Sequence, residues 1–151
     1  MQYIQDELNG VGKVTFVEST RDTRDDSTYQ TTLTEEISNV VADPSQCIIT
    51  LHFREWEGSS TKPAQDKKNA GVDLVSVKSI VVEPIQQDAT EINAATGTPN
   101  LVVFATKPTV SALLVRWRDT STMFPFIDAG LANTVANAMK HAVKLCGGAG
   151  Q

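Results

Sequence analysis

The sequence predicts a mainly β domain of the α+β class, with about seven antiparallel strands in a bent sheet or barrel. Three observations support this prediction: most apolar residues alternate with polar ones, the connections between these segments are short and polar, and helical periodicity is found at the two ends of the chain. Such connections cannot hold the crossover helices of a parallel α/β sheet. A short N-terminal helix and an amphipathic C-terminal capping helix complete the prediction.

The composition fits a single folded domain over residues 1–151. Hydrophobic residues make up 40% of the chain and charged residues 21%, which is ordinary globular usage. The net charge of −5 repels nucleic acid and anionic membrane surfaces. No apolar run approaches the roughly 20 residues of a membrane helix, and a polar, helix-like segment follows Met1 where a signal peptide would have its apolar core. We therefore expect neither nucleic-acid binding nor membrane insertion.

The first helix is predicted over Met1 to Asn9, because Ile4 and Leu8 are four residues apart and glycines follow. Such a short helix must be docked to persist. The pattern then changes to alternation in Lys13 to Glu18, which predicts the first strand, and Ser19 to Ser27 is predicted as a charged loop.

Tyr29 to Ala42 is rich in Thr, Val and Ile and predicts a long second strand. Its apolar residues share one face, but Glu35 and Asn39 interrupt that face, which indicates a bulge. Asp43-Pro44-Ser45 predicts a turn. The third strand alternates clearly, with two sets of residues on opposite faces: Cys47, Ile49, Leu51 and Phe53 on one, and Thr50, His52, Arg54 and Trp56 on the other.

The middle of the chain contains two polar segments around one apolar segment. Gly58 to Gly71 has almost no apolar residues and predicts a surface loop. Val72 to Ile85 is dense in apolar residues before Pro84 and predicts a buried strand with a kink or bulge. Gln86 to Asn100 predicts a connection, with a helical turn at Glu91 to Ala95.

The remaining strands are predicted over Leu101 to Thr106, Ser111 to Arg118 and Met123 to Ile127, with a hairpin loop at Asp119 to Thr122. Pro125 cannot donate a backbone hydrogen bond, so the last strand is predicted at an edge or bulge.

The C-terminal helix has apolar residues at three- and four-residue spacing, from Leu131 to Leu145. Asp128 is the predicted N-cap, and Gly147-Gly148 the predicted stop. Seven strands and a capping helix are typical of the pleckstrin-homology-like superfold, which is the predicted architecture. Lipocalin-like barrels and helix-packed open sheets are the alternatives.

Several strings resemble those of a group of uncharacterised bacterial proteins, common in soil lineages such as Acidobacteria and usually found behind a signal peptide. They are Tyr3-Ile4-Gln5-Asp6, Asn39-Val40-Val41-Ala42-Asp43-Pro44, Cys47, and the residues of the last helix from Ala132-Asn133 through His141-Ala142-Val143 to Cys146-Gly147-Gly148. The likeness spans nearly the whole chain, except around Pro63 to Lys68. It implies a fold and an extracytoplasmic location, and no reaction.

The two cysteines have two interpretations. Cys47 follows a turn and Cys146 ends the last helix, so each can reach a neighbouring segment, and a disulfide between them would close about 100 residues. Alternatively, they are unrelated thiols. An oxidising compartment would be needed to maintain the disulfide.

The sequence predicts no catalytic, cofactor or metal site. It has two histidines and no CxxC, HExxH, calcium-loop or phosphate-loop motif. Cys146 lies five residues after His141, which is poor spacing for a nucleophile and its base on one helix. Arg21 and Arg24 lie where pleckstrin-homology domains bind phosphoinositides, but Asp22, Asp25 and Asp26 flank them and oppose phosphate.

One surface could bind carboxylates or peptides. His52, Arg54 and Trp56 share the outer face of the third strand, and Arg116 and Arg118 lie opposite Trp117 on a later strand. If the two strands are adjacent, these residues form a basic, partly aromatic patch. The alternative is a pair of solvated strand faces.

The resulting functional hypothesis is a non-enzymatic module that binds another protein or self-associates through its β surface or an exposed strand edge. The alternative is a small-ligand carrier, whose barrel interior would be hollow instead of filled by Phe16, Leu51, Phe53, Leu113 and Phe126. An enzyme is not predicted.

Overall fold

A computed structural model describes residues 1–85, 89–92 and 99–148 of the chain. Its elements follow in chain order: α1 (Gln2–Val11), β1 (Lys13–Asp22), β2 (Thr28–Asp43), β3 (Ile48–Glu57), β4 (Gln65–Asp73), a 3₁₀ turn (Leu74–Ser76), β5 (Val77–Pro84), β6 (Ala89–Ile92), β7 (Pro99–Lys107), β8 (Ser111–Trp117), β9 (Thr120–Phe126) and α2 (Ala129–Leu145). The mainly β class and both terminal helices are confirmed.

The strands form two antiparallel sheets instead of one bent sheet or closed barrel. The larger sheet has the strand order β4-β3-β2-β1-β7-β6, and the smaller one has the order β5-β8-β9. The prediction of about seven strands was therefore too low, and the predicted barrel is not closed by the pairings described. The likeness to the pleckstrin-homology-like superfold stays a prediction.

Strand β4 begins inside the segment predicted as the loop Gly58 to Gly71, so that prediction was wrong for residues 65–71. The strand pairs with β3 from Gln65 opposite Glu55 to Asp73 opposite Ile48. It is an edge strand with its first residues exposed, so it needs no apolar alternation, and its sequence resembles a loop. Polar edge strands of this kind are hidden from a search for hydrophobic periodicity.

Two further predictions for the middle of the chain need correction. The kink expected in Val72 to Ile85 is the 3₁₀ turn, which divides that segment between β4 and β5. Ala89–Ile92 forms strand β6 where a helical turn was predicted over Glu91 to Ala95, and the rest of that turn lies outside the described residues.

Helix α1 is docked on the predicted bulge of β2. The register between β2 and β3 shifts between Ser38 and Val41, and Asn39 has a φ of 52°. Side chains of α1 bind the backbone there: Asn9 both accepts from the Val40 amide at 2.9 Å and donates to the Val40 carbonyl at 3.1 Å. The bulge therefore frees backbone groups for α1, which holds a helix too short to be stable alone.

Helix α2 contacts β5, β8, β9, the 3₁₀ turn and α1. The predicted N-cap is confirmed, because the Asp128 carboxylate accepts from the Leu131 amide at 3.1 Å. The predicted stop is confirmed as well, because Gly147 has a φ of 78° and the Gly148 amide donates to the Val143 carbonyl. A Cβ at residue 148 would lie 2.7 Å from the Leu74 carbonyl oxygen, so this close approach requires glycine. Among the described residues, neither helix is long and apolar enough to span a bilayer.

The apolar core is in two parts. The larger part joins α1, α2 and both sheets, and includes Ile37, Ile49, Leu113 and Phe126. A smaller cluster around Phe16 and Leu33 lies further along the larger sheet. Polar residues replace apolar ones on the inner face of β2 and β3 near this smaller cluster, and the candidate site lies there.

Candidate functional site

A row of residues crosses four strands of the larger sheet and brings two glutamates together. Val14 of β1 is opposite Glu35 of β2, Glu35 is opposite Glu55 of β3, and Glu55 is opposite Gln65 of β4. Like charges directly opposite each other destabilise a sheet if both are ionised. The pair is therefore placed where one member is expected to hold a proton.

Glu35 is buried, with 3% of its surface exposed. Its Oε2 atom has no hydrogen-bond partner among the described residues. Burial, followed by a hydrogen bond to Glu55 and the negative charges of Glu55 and Glu18, raises the pKa of Glu35 to about 8. Glu35 is thus a carboxylic acid at neutral pH and is hydrogen-bonded to Glu55.

The pair lies at the junction of two open cavities between the sheets. The first has a volume of about 390 Å³, and its walls include Leu51 and Phe53 of β3 and Trp117 of β8. The second has a volume of about 550 Å³ and extends toward β1 and β7. Both are lined by Glu35, Glu55, Gln65 and Met123. We refer to the two cavities together as the inter-sheet cleft.

The two ends of the cleft differ in charge. The described residues that line the second cavity include four glutamates and no lysine or arginine: Glu18, Glu35, Glu55 and Glu57. The first cavity carries Lys67 of β4 and a polar rim from the start of β9. The indole N–H of Trp117 donates to the Thr122 hydroxyl at 3.4 Å. The cleft is therefore acidic at one end and partly aromatic at the other.

The predicted basic patch is divided, because β3 and β8 lie in different sheets. On β3, Arg54 is paired with Glu36, and the His52 ring contacts the Asp66 carboxylate. Two cations lie close to the Trp56 ring: the Lys13 ammonium group is 5.1 Å and the Arg54 guanidinium 5.2 Å from the ring centroid.

The other two predicted patch residues are on the smaller sheet. Arg116 is exposed on β8, opposite Ser121. Arg118 forms the turn between β8 and β9 and donates to Asp73 at 2.9 Å. The structure brings neither arginine to the face that carries Trp56, so no single five-residue patch forms.

Cys47 and Cys146 are joined, with sulfur atoms 2.11 Å apart and Cα atoms 5.9 Å apart. The first of the two interpretations of the cysteines is therefore the one that the structure shows. The bond connects the turn between β2 and β3 to the end of α2.

The loop compared with phosphoinositide sites holds one of its arginines in an ion pair. Arg24 donates from Nε to Asp22 at 2.9 Å and from Nη2 at 2.8 Å. These hydrogen bonds lower the pKa of Asp22 to about 2. Asp22 thus accepts the guanidinium hydrogen bonds of Arg24 that a bound phosphate would need.

Sequence reasoning missed the glutamates of the cleft, although each left a signal. Glu35 was interpreted as an interruption that indicates a bulge, but the bulge lies at Asn39 and Glu35 continues the inward face. Glu18 extends the alternation of Val14 and Phe16, and Glu55 and Glu57 extend that of Leu51 and Phe53. Carboxylates that continue an inward face indicate a polar cavity or a shared proton.

A metal centre is not indicated in the described part of the chain, where no three His, Cys, Asp or Glu side chains are grouped to hold an ion.

The chain matches no family model, no curated protein and no solved structure.

Proposed function

We propose that the protein is a non-enzymatic binder of small, partly apolar ligands in the inter-sheet cleft. The observation that supports this most strongly is a pair of open cavities that share a buried carboxyl group with an unpartnered oxygen. Ligand sites are typically concavities of about 300–1,000 Å³ with apolar walls and a few convergent polar groups. This is the carrier alternative, relocated from a barrel interior to a cleft.

An extracytoplasmic setting is part of this proposal. The disulfide supports it, because such bonds persist mainly in oxidising compartments. The bacterial family resemblance points to the same setting. A cleft binder outside the cytoplasm would meet small solutes directly.

The test uses the position of the two tryptophans. Trp117 lines the cleft, and Trp56 lies on the outer face of β3. The Trp56→Phe variant keeps Trp117 as its one tryptophan, so its tryptophan fluorescence comes from the cleft. We expect at least one of benzyl alcohol, benzylamine and phenylacetate to change this fluorescence with saturation. Ligands of about eight non-hydrogen atoms should bind in the millimolar range.

The matched control is Trp117→Phe, which keeps Trp56 and should give no saturable change. A linear, non-saturating response to all three compounds in both variants would contradict a binding cleft.

A protein-binding module is the second candidate, and the face around Trp56 favours it. Trp56 is half-buried and lies close to two cations, and aromatic and arginine side chains are common contacts at interfaces. Light scattering at high concentration tests the self-associating form, since a strict monomer would exclude it. Loss of association in Trp56→Ala would locate the interface.

A further inference from the structure

We propose that the inter-sheet cleft binds an organic ammonium ion, which enters by replacing the proton shared by Glu35 and Glu55. This inference rests on the proposed function and names the ligand class and the exchange that accompanies binding. The residues that support it are the glutamate pair, the acidic second cavity and the apolar wall of the first cavity.

The charge of the second cavity selects a cation. Its four glutamates come from three strands, with Glu18 on β1, Glu35 on β2, and Glu55 and Glu57 on β3. Lys67 on β4, which lines the first cavity, is the one lysine or arginine among the described residues that line the two cavities. An anionic ligand would be repelled by the excess of carboxyl groups over cations among these lining residues, whereas a cation gains attraction there.

Glu35 offers an acceptor that the fold leaves unused. The side chain is 97% buried, since only 3% of its surface is exposed, and Oε2 has no partner among the described residues. A buried polar atom without a partner costs free energy, so it marks a place for an external donor. An ammonium group has three N–H donors, enough to reach both carboxyl groups of the pair.

The walls of the first cavity indicate an organic body on that cation. Leu51, Phe53, Met123 and the Trp117 ring contribute apolar surface a short distance from the pair. A metal ion would need several oxygen ligands at close range, and the described residues hold no such group. An amine with a ring or short alkyl chain can contact both ends of the cleft.

The exchange balances in charge and protons. In the free protein, Glu35 holds a proton. When the ammonium ion binds, the O–H bond of Glu35 breaks, its proton passes to solvent, and the ligand's N–H groups donate to the two carboxylates. The cation remains protonated, and the net charge of the site is unchanged. Glu18, Glu57 and Lys67 also line the cleft.

The experiment is calorimetric titration of the full-length protein with benzylamine between pH 5.5 and 7.5, in two buffers of different ionisation enthalpy. We expect about one proton released per ligand, and an affinity that rises close to tenfold per pH unit, because the proton competes with the ligand. Benzyl alcohol, of the same shape without the charge, should release no proton.

Two variants make the result decisive. Glu35→Gln keeps the shape but has no proton to exchange, so its affinity for benzylamine should be weaker and independent of pH. Glu55→Gln removes the second carboxyl group that accepts from the ammonium ion, so its affinity should be weaker than that of the wild type. Binding of benzylamine without proton release, with equal affinity in Glu35→Gln, would overturn the exchange and leave the proposed cleft intact. Preference for phenylacetate would overturn the ligand class. If none of the three compounds binds, the proposed function itself fails.

Discussion

Reduction of the Cys47–Cys146 disulfide should lower the free energy of unfolding by about 4–5 kcal/mol. The bond joins residues separated by 99 positions, and cross-linking a loop of this length removes much of the entropy of the unfolded chain. Single domains are stable by only about 5–15 kcal/mol, so the reduced protein should be close to its unfolding threshold. Urea unfolding with and without a thiol reductant measures the difference.

The double variant Cys47→Ser/Cys146→Ser is the matched control for this effect. It should unfold like the reduced wild type, and the reductant should not change it further. In protein from an oxidising compartment, alkylation after denaturation should modify neither cysteine until reduction. Equal urea midpoints for the oxidised and reduced wild type would refute the stabilising role of the bond.

The second large effect is a loss of stability with rising pH that originates at Glu35. Its pKa is raised from the ordinary value of 4.5 to about 8 in the folded protein, so the native state binds more protons than the unfolded state between these values. Stability is therefore fully present at the acid end of this window and falls as pH rises through it. The slope should reach at most about 1.4 kcal/mol per pH unit.

Other groups with shifted pKa values act outside that window. Hydrogen bonds lower the pKa of Asp43, Asp66 and Asp73, so their stabilising effect is lost only in more acidic solution.

The variant Glu35→Gln should flatten the pH dependence of the free energy of unfolding between pH 5.5 and 8. Glu36→Gln, on the opposite face of the same strand, leaves the pair intact and should retain the wild-type slope. Stability that is level or rises over this range in the wild type would contradict the assignment.

The parts of the fold with strong apolar periodicity were predictable. The two helices, their glycine stops, the Asp128 cap, the bulge in β2 and the edge position of Pro125 were all predicted from local signals and are present. Each depends on a residue whose backbone preference or hydrogen-bonding capacity acts over a few neighbours. Interactions within a few residues of the chain were therefore sufficient to predict these elements.

Strand pairing and sheet order were not predictable, because they depend on contacts between distant segments. The chain returns from β7 to pair with β1, and β5 pairs with β8 instead of its sequence neighbours. The alternation of apolar and polar residues in a strand does not indicate which other strand it pairs with. For the same reason, the sequence could not show that His52 and Arg54 lie apart from Arg116. The predicted patch required β3 and β8 to be adjacent, and they lie in different sheets.

The candidate site was missed for a related reason. Glu35 and Glu55 are 20 positions apart and become partners only through the register of β2 and β3. Catalytic motifs are recognised by histidines, cysteines and fixed spacings, and a cross-strand carboxyl pair has none of these. A glutamate that continues an apolar face was the available signal.

A carbon-detected NMR titration of the glutamate side-chain carboxyl groups, with Glu35→Gln for assignment, measures directly whether the cleft is built around a protonated Glu35. We expect one carboxyl carbon that stays in the acid form at pH 7, titrates with a pKa of about 8 and is absent in the variant. A Glu35 carboxyl that titrates near its ordinary value of 4.5 would contradict it.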